Sequence, residues 1–134
     1  MTTSKSKYTY SIGRRKSSIC TVRLYKGKGS SEVNKKAVEK YFPLESEKII
    51  YNKPFVLTKN QDKYYFTAIV LGGGKKGQLQ ALTLAISRAF RKIDENFTSI
   101  LRQAGLLTVD SRVRERRMIG TGGKSRRQKQ SPRR

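Results

Sequence analysis

The chain has 134 residues, the usual size of one domain, and carries 31 lysines and arginines against nine acids, for a formal net charge of +22. A compact domain repels itself at that charge, so a polyanionic partner is implied, and nucleic acid is the commonest one. A single cysteine and the absence of histidine exclude an intrachain disulfide, a Cys/His zinc site and the commonest general base of catalysis.

No basic surface helix with a bulky apolar face is evident, nor any apolar run of transmembrane length, so no membrane partner is expected. Met1–Lys7 lacks the apolar core of a signal peptide. The expected location is the cytosol, or an organelle that makes its own proteins.

In chain order, Tyr8–Ile12 reads either as a strand of its own or as the start of the next one, bent at Gly13. Ser17–Tyr25 reads as a strand with Cys20, Val22 and Leu24 on one face and Thr21 and Arg23 on the other. Cys20 in this β-branched run is a packing residue. A Gly27-Lys28-Gly29 turn follows, with a short return strand at Glu32–Asn34. Ala37–Phe42 suggests a short helix stopped before Pro43, since the residue preceding proline avoids helical angles. Ser46–Tyr51 suggests another helical turn, ended ahead of Pro54, with Glu45 and Glu47 on its surface.

Phe55–Thr58 and Tyr64–Leu71 read as two strands flanking the loop Lys59-Asn60-Gln61-Asp62. The second is apolar on both faces, as in a central strand covered on both sides. Gly72-Gly73-Gly74 breaks the pattern. From Gly77 to Ile93 the apolar residues Leu79, Leu82, Ile86, Phe90 and Ile93 fall three and four apart, the mark of an amphipathic helix. A shorter helix is expected over Asn96–Ala104, stopped by Gly105. Strands first and a covering helix later give an α+β two-layer sandwich.

The last 25 residues hold ten of the basic residues and only two acids, Asp110 and Glu115; beyond Glu115 there is no acid at all. With Gly120, Gly122, Gly123 and Pro132, and only Met118 and Ile119 apolar, residues 116–134 bury too little to offset their ordering entropy. Residues 1–109 are therefore read as the folded domain and 110–134 as an extended basic tail. Fully extended at roughly 3.3 Å per residue, Arg116–Arg134 reaches about 60 Å.

Four groups of residues carry candidate chemistry. Gly72-Gly73-Gly74-Lys75-Lys76-Gly77-Gln78 lies between a strand and a helix, where a phosphate-cradling loop sits. A nucleoside-triphosphate loop needs Lys and then Ser or Thr after the last glycine, and Gln78 and Leu79 stand there instead. The glycine spacing also fails the dinucleotide fingerprint. That leaves a backbone-and-lysine cradle for an RNA phosphate, with Lys75 and Lys76, or a simple tight turn. Gly13-Arg14-Arg15-Lys16 sets three cations beside a strand: a solvated edge on an ordinary protein, a phosphate contact on a chain of this charge. Arg23 can join the same surface. The tail supplies Arg112, Arg114, Arg116 and Arg117, then Lys124, Arg126 and Arg127, whose guanidinium groups pair bidentately with phosphates and stack on bases.

The aromatic residues argue against a stacking module on the sheet. Phe55, Phe66 and Phe90 fall on core faces by pattern, and the aromatic signature of the RNA-recognition motif is absent. Tyr8, Tyr10 and Tyr25 remain within reach of RNA.

Taken together, Gly13-Arg14-Arg15-Lys16-Ser17-Ser18-Ile19 with Val22-Arg23-Leu24, Tyr41-Phe42-Pro43, Gly72-Gly73-Gly74, Gly77-Gln78, Ile86-Ser87-Arg88-Ala89, Ala104-Gly105-Leu106-Leu107-Thr108 and the run Asp110–Arg117 resemble, in order and spacing, the ninth small-subunit ribosomal protein family in its bacterial and organellar form. The likeness runs from about Tyr8 to Arg117. It implies a two-layer α+β domain like the second domain of ribosomal protein S-five. It also implies a place in the ribosome, on the 3′ major (head) domain of the small-subunit rRNA beside neighbouring head proteins, and a tail that reaches the anticodon loop of the P-site tRNA. The family's last arginine makes that contact and matches Arg134, with Arg133 and Lys129 beside it.

The chain departs from the family at Met118-Ile119-Gly120, where Lys-Tyr-Gly is common, at Gln80, which replaces a glycine, and at its end, Ser131-Pro132-Arg133-Arg134 in place of Ser-Lys-Arg. Pro132 fixes the local backbone there. No cofactor, metal or DNA partner is expected. Two rivals are kept: a general DNA- or RNA-compacting protein, which explains the charge and not the ordered motifs, and a nucleic-acid enzyme at the glycine-rich turn, which lacks an acid–base pair.

Overall fold

The computed structural model describes residues 7–120. Its first element pair is a hairpin of β1 (Tyr8–Arg15) and β2 (Ser18–Lys26), joined through Lys16 and Ser17, with Gly13 opposite Cys20 and Arg15 opposite Ser18. Tyr8–Ile12 thus belongs to a separate strand that runs straight through Gly13. The reason lies across the sheet: a Cβ at Gly13 would stand 2.1 Å from the Ala81 carbonyl oxygen and 2.7 Å from the Ala85 nitrogen. Gly13 is the point where a helix backbone rests directly on a strand.

After the turn at Gly27–Gly29, β3 (Glu32–Val33) and β4 (Lys36–Ala37) form a miniature hairpin. Asn34 makes its turn at φ +51 and extends the pairing with its side chain: Nδ2 donates to the Val70 carbonyl and Oδ1 accepts from the Val70 amide. The short helix α1 (Val38–Tyr41) and then α2 (Glu45–Leu57) lead to β5 (Tyr64–Leu71). The sheet order is β1-β2-β5-β3-β4, antiparallel except that β3 and β5 run parallel. That parallel pair requires the crossover which α1 and α2 provide.

Two expectations fail in this crossover. Phe55–Thr58 is not a strand; Phe55–Leu57 end α2 and Thr58 is its C-cap, and Pro54 lies inside that helix rather than beyond it. The apolar run was too short for periodicity to separate helix from strand. Packing decides: helical spacing puts Tyr51 and Phe55 on one buried face, with the Phe55 ring 5.1 Å edge-on to Phe90 and 6.1 Å from Phe66. Proline costs the helix one backbone donor. The Thr58 hydroxyl closes the helix end by donating to the Pro54 carbonyl at 2.8 Å.

A third correction concerns β5. It is central in strand order, as expected, but covered on one face only. Phe66, Ala68 and Val70 point into the core, while Ile69 and Leu71 are 55% and 65% exposed. All long helix contacts lie on the other side. There α3 (Lys75–Ile93) packs across β1 and β2, and α4 (Phe97–Gln103) inserts Leu101 at its end. Leu79, Leu82, Ile86 and Phe90 are buried as their spacing predicts. The small residues Ala81, Ala85 and Ala89 supply the flat stripe that meets β1, where the Ser11 hydroxyl donates to the Ala85 carbonyl. The result is α+β, a mixed sheet with its helices on one side.

Cys20 sits in this core, fully buried, and desolvation pushes its thiol up to about 12. Among the described residues no helix is long and apolar enough to cross a membrane, and no group of His, Cys, Asp and Glu is placed to hold a metal ion.

Candidate nucleic-acid interface

Strand pleating separates the adjacent arginines Arg14 and Arg15. On β1, Ser11 and Gly13 face α3, so Arg15 lies on their side and Arg14 turns to the open face of the sheet. Arg14 and Lys16 are exposed, and their side chains make no ion pair or hydrogen bond with another described residue. Arg15 is only 10% exposed at its side chain. Its Nε donates to Gln80 Oε1 at 2.6 Å, its Nη1 to the Arg112 carbonyl at 2.6 Å, and its Nη2 lies 3.3 Å from Asp110. All three groups of the guanidinium are engaged within the chain.

The other side of that contact is a second arginine on the same acid. Arg112 donates from Nε and Nη2 to the two carboxylate oxygens of Asp110 at 3.0 and 2.8 Å, and its amide donates to Oδ1 at 3.1 Å. Those hydrogen bonds, chiefly the side-chain pair from Arg112, with the charges of Arg112 and Arg15 added, hold the Asp110 carboxyl well below the usual carboxylate range. Residues 110–112 are thereby pinned to the β1 end of the sheet. A carboxyl with a depressed pKa contributes stability that is present above its unfolded value and lost only as pH falls through the folded one. The Arg15–Asp110–Arg112 cluster is therefore expected to survive acidification through the ordinary aspartate range, near about 3.9. A carbon-detected NMR titration of the Asp110 side chain checks this; a midpoint at the ordinary value would mean that the cluster does not hold in solution.

The glycine-rich turn packs flush against the β1–β2 turn. Ser18 Oγ donates to the Gly72 carbonyl at 3.1 Å, and a Cβ on Gly73 would fall 2.1 Å from that same Oγ. Gly72 and Gly73 both take positive φ, +74 and +65, so glycine is required there. Gln78 Nε2 also donates to the Gly72 carbonyl at 3.0 Å, and the Tyr41 hydroxyl donates to Gln78 Oε1 at 2.7 Å. The turn is thus tied to β2, to α1 and to its own helix.

Gly74 is the N-cap of α3, with no side-chain cap and no acid in the first turn. The first amides of this 19-residue helix have no side-chain cap, and Lys75 and Lys76 in its first turn are exposed. Lys75 reaches back over the Tyr41 ring, 5.7 Å from its centroid, and donates to the Tyr41 carbonyl at 3.3 Å. The β1–β2 turn, the glycine-rich turn and the pinned residues 110–112 therefore meet at one end of the sheet.

Of the residues expected to bind RNA, Arg14, Lys16, Lys75 and Lys76 lie at this end with free or partly free cations. Arg15 and Arg112 also lie there but are joined to Asp110. Arg23 is on the open face further along, its guanidinium 5.2 Å over the Tyr8 ring. Arg114, Arg116 and Arg117 are exposed along the chain that leaves the cluster. Lys124, Arg126, Arg127, Lys129, Arg133 and Arg134 fall outside the described residues.

Tyr25 and Tyr65 stack on each other at 5.1 Å, and Tyr8 tilts against Tyr25 at 5.6 Å. Their rings are largely spent on one another, which leaves Tyr10, 45% exposed, as the open one. Sequence reasoning missed Asp110 as an organiser, and Gln80 and Tyr41 as positioning residues. The available signal was that Asp110 is the one acid immediately ahead of the arginine run. It also passed over Arg88 and Lys92, which donate to the Ile12 and Tyr10 carbonyls and hold β1 to α3.

Comparison with known proteins gives two findings. A family model described as "Ribosomal protein S9/S16" matches residues 13–134. A curated relative from Maridesulfovibrio salexigens, "Small ribosomal subunit protein uS9", is 43% identical over 116 residues, covering 87% of this chain and 89% of the relative.

Proposed function

From the premise that the chain belongs to the ribosomal protein S9/S16 family, whose members are structural RNA-binding components of the ribosome and not enzymes, we propose that it binds the 3′ major (head) domain of the small-subunit rRNA through residues 1–109 and extends residues 110–134 toward the anticodon loop of the P-site tRNA. Its place is in the ribosome, next to other proteins of the small-subunit head, in the cytoplasm or in a protein-synthesising organelle.

One observation carries this reading: three separate stretches of sequence bring exposed cations to one end of the sheet, where the arginine-rich segment also departs. Arg14, Lys16, Lys75 and Lys76 neutralise rRNA phosphates, and the amides at the start of α3, which have no side-chain cap, donate to one more. Arg114, Arg116 and Arg117 continue the track, and beyond them come Lys124, Arg126 and Arg127, with Lys129, Arg133 and Arg134 at the tRNA. Arg15 and Arg112 act on the rRNA side chiefly by fixing, through Asp110, the direction in which that track starts. Phosphate contacts of this kind set register and orientation; they do not read sequence.

The test is the salt dependence of binding. Full-length protein and a variant with Arg14, Lys16, Lys75 and Lys76 all changed to alanine are titrated against head-domain rRNA at several salt concentrations. Each lost phosphate contact lowers the slope of log affinity against log salt by about 0.7–0.9, so the variant is expected to lose roughly 3. An unchanged slope would remove these four residues from the interface. Equal affinity of the unaltered protein for duplex DNA and for head-domain rRNA would favour a general nucleic-acid binder instead.

A further inference from the structure

Charge is unevenly spread over the fold. Residues 39–58 hold three lysines, Lys40, Lys48 and Lys53, and three glutamates, Glu39, Glu45 and Glu47, so this stretch is neutral in a chain of +22. It spans α2, and α2 also exposes aliphatic side chains. Ile49 is 71% exposed and Val56 50%, with Leu44 at 60% just ahead of the helix. Glu45, Ile49, Asn52 and Val56 are spaced four, three and four residues apart, which puts them on one outward stripe. Beside this stripe runs a groove of about 410 Å³, lined by Lys48, Ile49, Asn52, Phe55, Val56 and Gln61. Its floor is Phe55, a core residue.

We propose that this outer face of α2 is a protein-docking surface, made for a neighbouring ribosomal protein that inserts an apolar side chain beside the Ile49–Val56 ridge and sets a lysine or arginine opposite Glu45. The inference rests on the assignment to the small subunit made above. RNA is the poorer occupant: a phosphate backbone laid here would meet as many glutamates as lysines, gain no net attraction, and leave the isoleucine and valine wet. A protein that shares the same RNA must itself be rich in cations, so a glutamate at the end of an apolar ridge is complementary to it. Lys48, at the edge of the groove, pairs with Glu39 at 3.7 Å, and Glu47 accepts from the Leu44 amide. Glu45 is the exposed carboxylate left facing outward at the head of the stripe.

The experiment uses assembled small subunits that contain the full chain with a photoreactive benzoylphenylalanine in place of Ile49. The expected product is a cross-link to one ribosomal protein, at an apolar residue flanked by lysine or arginine. The double variant Ile49→Glu with Val56→Glu is expected to lower occupancy of that protein at limiting concentration by roughly tenfold or more. Glu45→Lys should lower it too. The affinity of the free double variant for head-domain rRNA should stay within about twofold, since both side chains are exposed and neither belongs to the cations assigned to rRNA phosphates.

Subunits that contain the chain but cross-link at position 49 only to rRNA, only to a second copy of this chain, or to nothing would overturn the proposal. Unchanged partner occupancy in the double variant would do the same. A chain that never enters small subunits would overturn the ribosomal reading itself, and the docking surface with it.

Discussion

Gly13→Ala lowers the melting temperature of the isolated protein by roughly 10–20 °C, corresponding to about 3 kcal/mol for a domain of this size. The argument is steric. The added Cβ would meet the Ala81 carbonyl oxygen and the Ala85 nitrogen, both backbone atoms of α3. No side-chain rotation relieves that contact, so the helix must lift from β1. Lifting it loosens the Ser11–Ala85, Arg88–Ile12 and Lys92–Tyr10 hydrogen bonds together. Gly74→Ala is the control: with φ −97 and nothing within 4 Å of its Cβ, it should cost about 1 kcal/mol or less. Circular-dichroism melts of the two variants check both. A Gly13→Ala protein that melts within a few degrees of the parent would mean that α3 does not rest on β1 as described.

Deletion of Lys124–Arg134 leaves entry into small subunits largely intact and weakens P-site tRNA binding by roughly ten- to a hundredfold. The deletion removes Lys129, Arg133 and Arg134, and a net loss equal to one hydrogen bond to a charged group, about 1.5–3 kcal/mol, corresponds to that range. Arg14, Lys16, Lys75 and Lys76 remain, and with them the contacts assigned to the folded domain. Filter binding of tRNA to purified subunits carrying the truncated chain measures the effect. If the truncated protein does not enter subunits at all, the division between an anchoring domain and a reaching tail is wrong.

The sequence made some of this plain and hid the rest for identifiable reasons. The helix α3 was legible because Leu79, Leu82, Ile86 and Phe90 repeat at helical spacing over 19 residues, long enough for periodicity to dominate. The strand β2 was legible from the alternation of Cys20, Val22 and Leu24. The end of α2 was not, because Pro54 and a four-residue apolar run are local signals that tertiary packing of Phe55 overrides. Ile69 and Leu71 suggested a strand covered twice; apolar residues on an open face look the same in sequence as buried ones.

The basic site shows the same limit. Arg14 and Arg15 are adjacent and chemically identical, and a reading of the string treats them alike. Their different fates come from pleat direction and from Arg112, 97 positions away from Arg15 in sequence. Long-range pairing of that kind is invisible without the fold. Gln78 and Leu79, directly after Gly77, were enough to set the glycine-rich turn apart from nucleoside-triphosphate loops. Its anchoring to Ser18, Gln78 and Tyr41 emerges only in three dimensions.

The buried thiol gives the molecule a built-in gauge of its own opening. Cys20 lies on β2 between β1 and β5, with α3 across it, and it is the only cysteine in the chain. A water-soluble thiol reagent can reach it only when the helix layer parts from the sheet. When closing is fast, the rate of modification is the intrinsic rate multiplied by the fraction of molecules open. Free protein and protein locked into a particle can be compared by the same chemistry at the same atom, and the ratio of the two rates reads directly how much assembly tightens the core.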